Sequence, residues 1–293
     1  VEGDPDKTAD PDGLPDDPDL FENDYLTPTG SVGALYQVTD RFSVATNVSR
    51  GFRAPGLFDL FVDGVHGGVA AVQQGDPTLD PETSWNADAS LRWHGEGLSA
   101  QITGYVNEID DFIFLAGTGT TDAGSGLPVF QVSQQDARLF GVDLSVDARP
   151  QPWLSLHGTL GYVDGELSDG TQVPLLPPLK LRGEATIEPG DLGVLQAPYM
   201  TVGVRYADSQ QSAGLIEPFG QFDEPPPPFG TASTDSYALL DLSVGGQIGR
   251  TGTTIDLAVN NVLDTAHRDF LDTYKNVTLG AGRNVVLRLT QAF

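Results

Sequence analysis

Two segments of alternating apolar residues meet at a turn in SVGALYQVTDRFSVATNVSR, residues 31–50. One alternate set is apolar apart from a single threonine: Val32, Ala34, Tyr36, Val38, Phe42, Val44, Thr46 and Val48. Mostly small or polar residues occupy the positions between them, and Thr39 and Asp40 separate the two segments. A period of two places neighbouring side chains on opposite faces of an extended chain. The stretch therefore predicts two antiparallel strands with one apolar face and one polar face.

The same period continues along the chain, interrupted only by a possible short helical turn around residues 56–62. It predicts strands at 28–38, 41–51, 83–94, 97–114, 128–148, 153–164, 178–188, 199–207, 236–248, 253–262 and 281–293. Every second connection is long, as in an antiparallel up-and-down barrel with tight turns on one side and long loops on the other. Bacterial single-chain barrels have even strand numbers, so about 11 strands indicate part of a wall.

The composition excludes several classes of protein. The 293 residues carry 41 acidic and 15 basic side chains and a net charge of −26, which argues against nucleic acid as a partner. The absence of cysteine excludes disulfides and thiolate metal sites. No run approaches the roughly 18 apolar residues of a membrane helix, whereas a membrane strand needs only about 10 residues in alternation. No nucleophile motif, phosphate loop or HExxH occurs, so we expect no enzyme.

The segment 1–27 differs from the rest because it is rich in Asp and Pro. Such a composition cannot bury an apolar face, so we expect an acidic extracellular loop or disordered arm, followed by the barrel portion at 28–293. Asp10, Asp12 and Asp16 are weak candidates for calcium ligands. Calcium requires about six to eight oxygens in a defined loop, so a solvated acidic loop is the alternative.

A soluble β-sandwich would also alternate wet and dry faces. Two features favour a membrane barrel with a wet lumen. The polar face carries the charges of Lys180, Arg182 and Glu184, and outward-phase aromatic residues gather near the short turns, as an aromatic girdle would. These aromatic residues are Tyr36, Phe42, Trp93 and Phe293.

Four ordered segments resemble the TonB-dependent outer-membrane receptors. They contain the GFRAP box at 51–55, GDPTLDPETSWNADASLRW at 75–93, ARLFGVDLSV at 137–146, and the region 260–293 with its NNVLD turn and terminal aromatic residue. The second box reads DPTLDPE where the family has NPNLKPE, a mild departure. The resemblance implies a 22-stranded barrel closed by an N-terminal plug, of which this chain would be the C-terminal half without the plug.

The resemblance also implies a function, a location and partners. We expect uptake of a large scarce solute, with a ferric siderophore as the first candidate, at the Gram-negative outer membrane. The expected partners are outer-membrane lipid, the TonB complex for the intact receptor, the outer-membrane assembly machinery, and the missing plug and barrel half. No cofactor is expected, since haem or a ferric siderophore would bind only as transported ligand. A passive porin-like or structural barrel, a haem receptor and a soluble β-sandwich binding domain remain alternatives.

Candidate ligand-binding residues lie at the long-loop side. Arg50 and Arg53 could meet an anionic ligand or pair with carboxylates of the lumen. His66 lies between the two boxes, where the family's haem receptors carry a ligating histidine, and a flexible loop tip is the alternative. Aromatic residues of the loops could grip an aromatic siderophore or pack within the loops and girdle: Phe112, Phe114, Phe130, Phe219, Phe222, Phe229 and Tyr237.

Other motif residues are expected to be structural. They are Gly51, Phe52, Ala54, Pro55, Pro77, Leu79, Pro81, Glu82, Asn261, Asp264 and Phe293. In the last strand the alternation predicts two faces. Val285, Leu287, Leu289 and Phe293 should face lipid, while Asn284, Arg288 and Thr290 should face the lumen.

Overall fold

The computed structural model describes residues 25–66, 71–211, 233–249, 251–272 and 278–291. Its strands are β1 Gly30–Thr39, β2 Phe42–Arg53, β3 Asp63–His66, β4 Ala71–Gln74, β5 Glu82–Gly95, β6 Leu98–Thr121, β7 Pro128–Gln151, β8 Leu154–Leu167, β9 Lys180–Ile187, β10 Leu195–Ala207, β11 Tyr237–Ile248, β12 Thr253–Asn260 and β13 Asn284–Gln291. One short helix, α1 Leu57–Phe61, lies in the predicted turn region. No helix of these ranges has the length and apolar character needed to cross a membrane.

The sheet is an antiparallel meander. Eleven of its strands follow the order β1-β2-β5-β6-β7-β8-β9-β10-β11-β12-β13, so the predicted all-β up-and-down architecture is confirmed. Ten successive antiparallel pairings make β1 and β13 run in the same direction. These two strands do not pair with each other in the described residues, and every residue of both is exposed. The sheet is therefore open along two edges.

The cross-strand register confirms the two faces. Phe42 pairs with Trp93, and Val44 pairs with Leu91, so the apolar sets of neighbouring strands share one face. Many apolar side chains on this face, among them Val48, Leu91 and Trp93, are exposed rather than packed into a core. In β13, Val285, Leu287 and Leu289 share the exposed apolar phase, while Arg288 lies opposite Asp256. Phe293 lies outside the described residues.

Two strands continue further than the alternation predicts. β6 runs on to Thr121, so the predicted long loop at 115–127 is wrong and the connection spans only 122–127, while β7 begins at Pro128 as predicted and runs on to Gln151. The sequence AGTGTT at 116–121 lacks apolar alternation and resembles a loop, but Ala116 and Gly117 pair with Gln131 and Phe130 across the hairpin. Backbone hydrogen bonds therefore extend the strands where the side chains give no signal.

The loop between β2 and β5 folds onto this hairpin. Its two four-residue strands, β3 and β4, pair with each other, and β4 also pairs with β7 in parallel through Val72 and Val129. Strands of this length were too short to predict from periodicity. A small apolar core forms beside them from Leu60, Leu79, Ile113 and Val132. The buried core thus lies at the long-loop end, beyond the alternating part of the sheet.

Close cross-strand contacts explain two glycines of the polar face. A Cβ at Gly141 would lie 2.3 Å from the ring of Tyr105, which faces it across β6 and β7. Gly245 is covered in the same way by Tyr199, at 2.6 Å. A tyrosine ring laid over a glycine in the next strand covers backbone that has no side chain of its own. Both glycines are therefore required by packing.

Candidate functional site

An ion pair joins the two boxes at the long-loop end of the sheet. Arg53 and Glu82 are direct cross-strand partners at the ends of β2 and β5. Arg53 donates Nε–H to Glu82 Oε2 at 2.9 Å and Nη2–H to Oε1 at 2.6 Å, while its Nη1 lies 3.1 Å from Asp59 of α1. Two parallel charge-assisted hydrogen bonds hold a guanidinium and a carboxylate in one plane. Arg53 is thus already neutralised, which favours a structural role.

Glu82 also reaches the third strand of this corner. Its side chain is only 11% exposed, and its Oε1 accepts the backbone N–H of Ile113 at 2.6 Å. Leu79 belongs to the apolar core beside it, and Pro55 is buried. Gly75 is needed for close approach, since a Cβ there would lie 2.7 Å from the backbone of Leu60. The boxes therefore act together as one folded corner.

The remaining box residues lie around this corner. Gly51 faces Ser84 across the ladder, Pro81 is half-buried, and Phe52, Ala54 and Pro77 are exposed. Their structural roles stay predictions.

Arg50 lies on the opposite face of β2 from Arg53. Its cross-strand partner is Trp85, and its guanidinium carbon lies 6.0 Å from the centre of the Trp85 ring. Trp85 is 53% exposed on the outward apolar face. Residues three apart in a strand point to opposite faces, so the two arginines cannot line one path.

The predicted aromatic residues do not form one site. Phe112 and Phe114 stack with ring centres 6.0 Å apart beside the loop cores. Phe130 is fully buried against Ala71, a position that favours the packing alternative. Tyr237 lies at the start of β11, which is separated from β6 by four strands in the sheet. Phe219, Phe222 and Phe229 lie outside the described residues, and any grip on a ligand stays a prediction.

A cavity lies on the polar face of the sheet. It has a volume of about 530 Å³ and is walled by β6 to β11 and the loop after β12. Three cations line it, each bound to a carboxylate: Lys180 Nζ with Asp269 at 3.0 Å, Arg182 with Glu184 at 2.6 Å, and Arg205 with Asp241 at 2.6 Å. Threonine hydroxyls of the same wall supply neutral donors and acceptors. The wall of the cavity therefore carries paired charges and hydroxyl groups, which suit a polar solute.

The pairs differ in how firmly they are held. Arg205 binds Asp241 through two nitrogens, and Asp241 also accepts the backbone N–H of Asn261. Lys180 and Arg182 are about half exposed, and an exposed ion pair contributes only about 0–1 kcal/mol. A ligand oxygen could replace either carboxylate at little cost. Lys180 and Arg205 were not among the predicted site residues. The sequence signal that could have found them is their position on the polar face of their strands.

A loop carboxylate closes one side of the cavity. Burial alone would raise the pKa of Asp269, but the backbone N–H of Leu271 and the ammonium of Lys180 lower its pKa on balance. Asp269 also accepts the hydroxyl of Tyr237 at 3.3 Å, and the Tyr237 ring packs against His267 with centres 4.7 Å apart. The loop is thus tied to both β9 and β11.

The NNVLD turn anchors this loop. Asn261 is only 1% exposed and has a left-handed φ of 49°. Its amide donates to the carbonyl oxygens of Thr265 and Ala281, and its Oδ1 accepts the N–H of Thr265. Asp264 accepts the N–H of Arg283 at 2.8 Å. These bonds join the end of β12 to the approach to β13, in keeping with the structural role expected of Asn261 and Asp264.

Of the metal and haem candidates, only His66 lies within the described residues. His66 is exposed at the end of β3. Asp10, Asp12 and Asp16 lie outside the described residues, so calcium binding stays a prediction. Among the residues that are described, no group of three or more His, Cys, Asp or Glu side chains could hold a metal ion.

Comparison with known proteins gives one consistent family. Residues 4–262 match the TonB dependent receptor-like β-barrel family. The vitamin B12 transporter BtuB of Photobacterium profundum is 30% identical over 118 residues, which are 40% of this chain and 18% of the transporter. The copper transporter OprC superposes with a TM-score of 0.72 at 19% identity, covering 90% of this chain and 39% of OprC. The siderophore receptor PirA of Acinetobacter baumannii gives 0.65 at 16% identity, over 90% and 41%.

Proposed function

This chain belongs to the TonB-dependent receptors of the Gram-negative outer membrane, and from that premise we propose that it is part of the wall of a receptor that imports a ferric siderophore. The chain matches about a fifth of the BtuB transporter and about two fifths of the two superposed structures. Transport is therefore proposed for the intact receptor, with the TonB complex as its energy source and a plug and further strands completing it.

The observation that supports this proposal is the wet wall of the cavity. A ferric siderophore is large and rich in oxygen atoms, so its passage requires donors that replace water without holding it tightly. Lys180 and Arg182 offer such donors, because both cations are about half exposed and each is held by a single carboxylate, a pairing that contributes little in water. The bonds of Glu82 to Arg53 and to the backbone of Ile113 would hold the loops above this wall in a fixed conformation.

The proposal is tested by uptake in cells. A strain lacking the receptor is complemented with the intact receptor and given radioactive iron bound to a catecholate or a hydroxamate siderophore. We expect uptake of one of these complexes, abolished when TonB is deleted. Uptake that persists without TonB would indicate the passive porin instead, and no uptake of either complex would contradict the siderophore assignment.

A cavity variant sharpens the test. Arg182→Gln should lower uptake several-fold without changing the amount of receptor at the surface, because it removes a donor from the wall. Arg288→Gln is the matched control, since Arg288 lies on the same face but outside the cavity. Equal uptake by both variants would count against a role of the cavity in transport.

A haem ligand is the second candidate because His66 is exposed on the β3–β4 hairpin. A neutral imidazole in this position could bind haem iron axially. His66→Ala should abolish growth on haem as sole iron source if haem is the ligand. Unchanged growth of this variant on haem would remove His66 from the binding site.

A further inference from the structure

An arginine and a tryptophan lie together on the outward face, at the long-loop end of β2 and β5. Arg50 stands over the Trp85 ring, and the row continues across β6 and β7 with Glu108 and Arg138. Directly below the row, the same face carries exposed apolar side chains, among them Val48 and Phe140. The row thus borders the apolar band on its long-loop side.

The height of Arg50 matches the upper edge of a bilayer core. Arg50 follows Arg41, at the short turn, by nine residues. At about 3.3 Å per residue and a strand tilt of about 40°, this distance corresponds to a height of about 23 Å. The apolar band of outer-membrane barrels is about 25 Å tall, and tryptophan is enriched at its borders. Arg50 therefore lies at the level of lipid headgroups.

Arg50 has no carboxylate partner in the described part of the chain. Its Nη1 donates to the carbonyl oxygen of Pro28 at 2.6 Å, and its other contact is the Trp85 ring. Arg138, in the same row, is bound to Glu108 at 2.9 Å. Among the described residues, Arg50 is thus a guanidinium at the border of the apolar band that no carboxylate neutralises.

We propose that Arg50 and Trp85 form a binding site for the phosphate of a lipid headgroup in the outer leaflet. A guanidinium binds phosphate through two parallel N–H donors, and in the part of the chain that the structure describes Arg50 uses only Nη1 in a hydrogen bond, to Pro28. The Trp85 ring supports the cation from one side and contacts the upper acyl chain on the other. This assignment does not depend on the transported ligand.

The test uses the intact receptor in a neutral detergent and native mass spectrometry. The receptor is titrated with dioleoyl phosphatidic acid, and dioleoylglycerol serves as the same lipid without phosphate. We expect one phosphatidic acid to be retained, and Arg50→Gln to weaken its binding about tenfold, the equivalent of about 1.4 kcal/mol. Arg138→Gln removes the same charge from a neutralised pair and should change binding less than about twofold.

Three results would overturn the site. Binding by Arg50→Gln equal to wild type would remove Arg50 from it. Equal weakening by Arg138→Gln would mean attraction to surface charge in general. Equal retention of dioleoylglycerol would mean apolar contact alone. Should Arg50→Gln not fold, Arg50→Lys takes its place, because it keeps the charge and loses the planar fork. We expect about threefold weaker binding for it, and unchanged binding would contradict the bidentate contact.

Discussion

Replacing Glu82 with Gln should loosen the corner that joins β2, β5 and β6. The substitution keeps the shape of the side chain but removes the charge that binds Arg53 and places an amide donor next to a guanidinium donor. Loss of one partner of a fully buried ion pair costs about 3–5 kcal/mol. Arg53 is 48% exposed, so water screens part of this cost, and we expect about 2 kcal/mol.

The backbone N–H of Ile113 reports this change directly because its acceptor is Glu82 Oε1. A cost of about 2 kcal/mol raises local opening about 30-fold, so hydrogen exchange at Ile113 should accelerate by that factor. Exchange in the middle of the sheet should not change. Exchange at Ile113 as slow as in the wild type would refute the idea that Glu82 holds the corner.

Glu188→Gln is the matched control for this experiment. Glu188 binds Arg149 at 2.9 Å, but both side chains are about half exposed at the short-turn end. The same chemical change should therefore cost less than about 1 kcal/mol. An equal effect of both substitutions would mean that burial of Glu82 has no influence.

Three further predictions concern packing, a turn and pH. Gly141→Val should place a side chain where the Tyr105 ring lies and lower the free energy of unfolding by about 1–3 kcal/mol. The measurement is the temperature at which heating changes the migration of the protein on a gel (the gel-shift temperature), which should fall. Asn261→Ala should remove three hydrogen bonds of the loop after β12 and leave a strained φ of 49°, so this loop should become sensitive to protease. Against the effect of burial, the backbone N–H of Leu271 and the ammonium of Lys180 lower the pKa of Asp269 from 3.8, so these contacts contribute stability above that pH and lose it as the pH falls through the lower folded value. Asp269→Asn should therefore weaken the protection of the loop at neutral pH and have no effect once the wild-type carboxyl is protonated.

Two of these variants have a control in the same chain. Gly183→Val adds the same side chain in β9, where a Cβ has no neighbour within 4 Å, and the gel-shift temperature should not fall. Asn260→Ala changes an exposed neighbour of Asn261, and the loop should stay resistant to protease. For the pH series, a difference between Asp269→Asn and wild type that persists in acid would contradict the proposed titration.

The faces of the strands were predictable because alternation is a local property. Phe42, Val44 and Val48 fall on one side whatever their partners are, and the short turn after Thr39 fixes the register with β1. The end of β6 was not predictable, since residues 116–121 are small or hydroxylated and carry no apolar phase. The extension of β6 depends on ladder hydrogen bonds to β7, with which β4 also pairs from a distant loop.

The partners of charged residues were not predictable, although their faces were. Arg50 and Arg53 stand three positions apart, so the sequence alone already assigns them to opposite faces. That Arg53 binds Glu82, 29 residues away, depends on the register across a long loop. Lys180 and Asp269 are 89 residues apart and meet only because the loop after β12 folds back toward β9. A guanidinium expected to bind a ligand can therefore be neutralised by its own sheet, as Arg53 is, while its neighbour Arg50 has no carboxylate partner among the described residues and is proposed to bind a lipid phosphate.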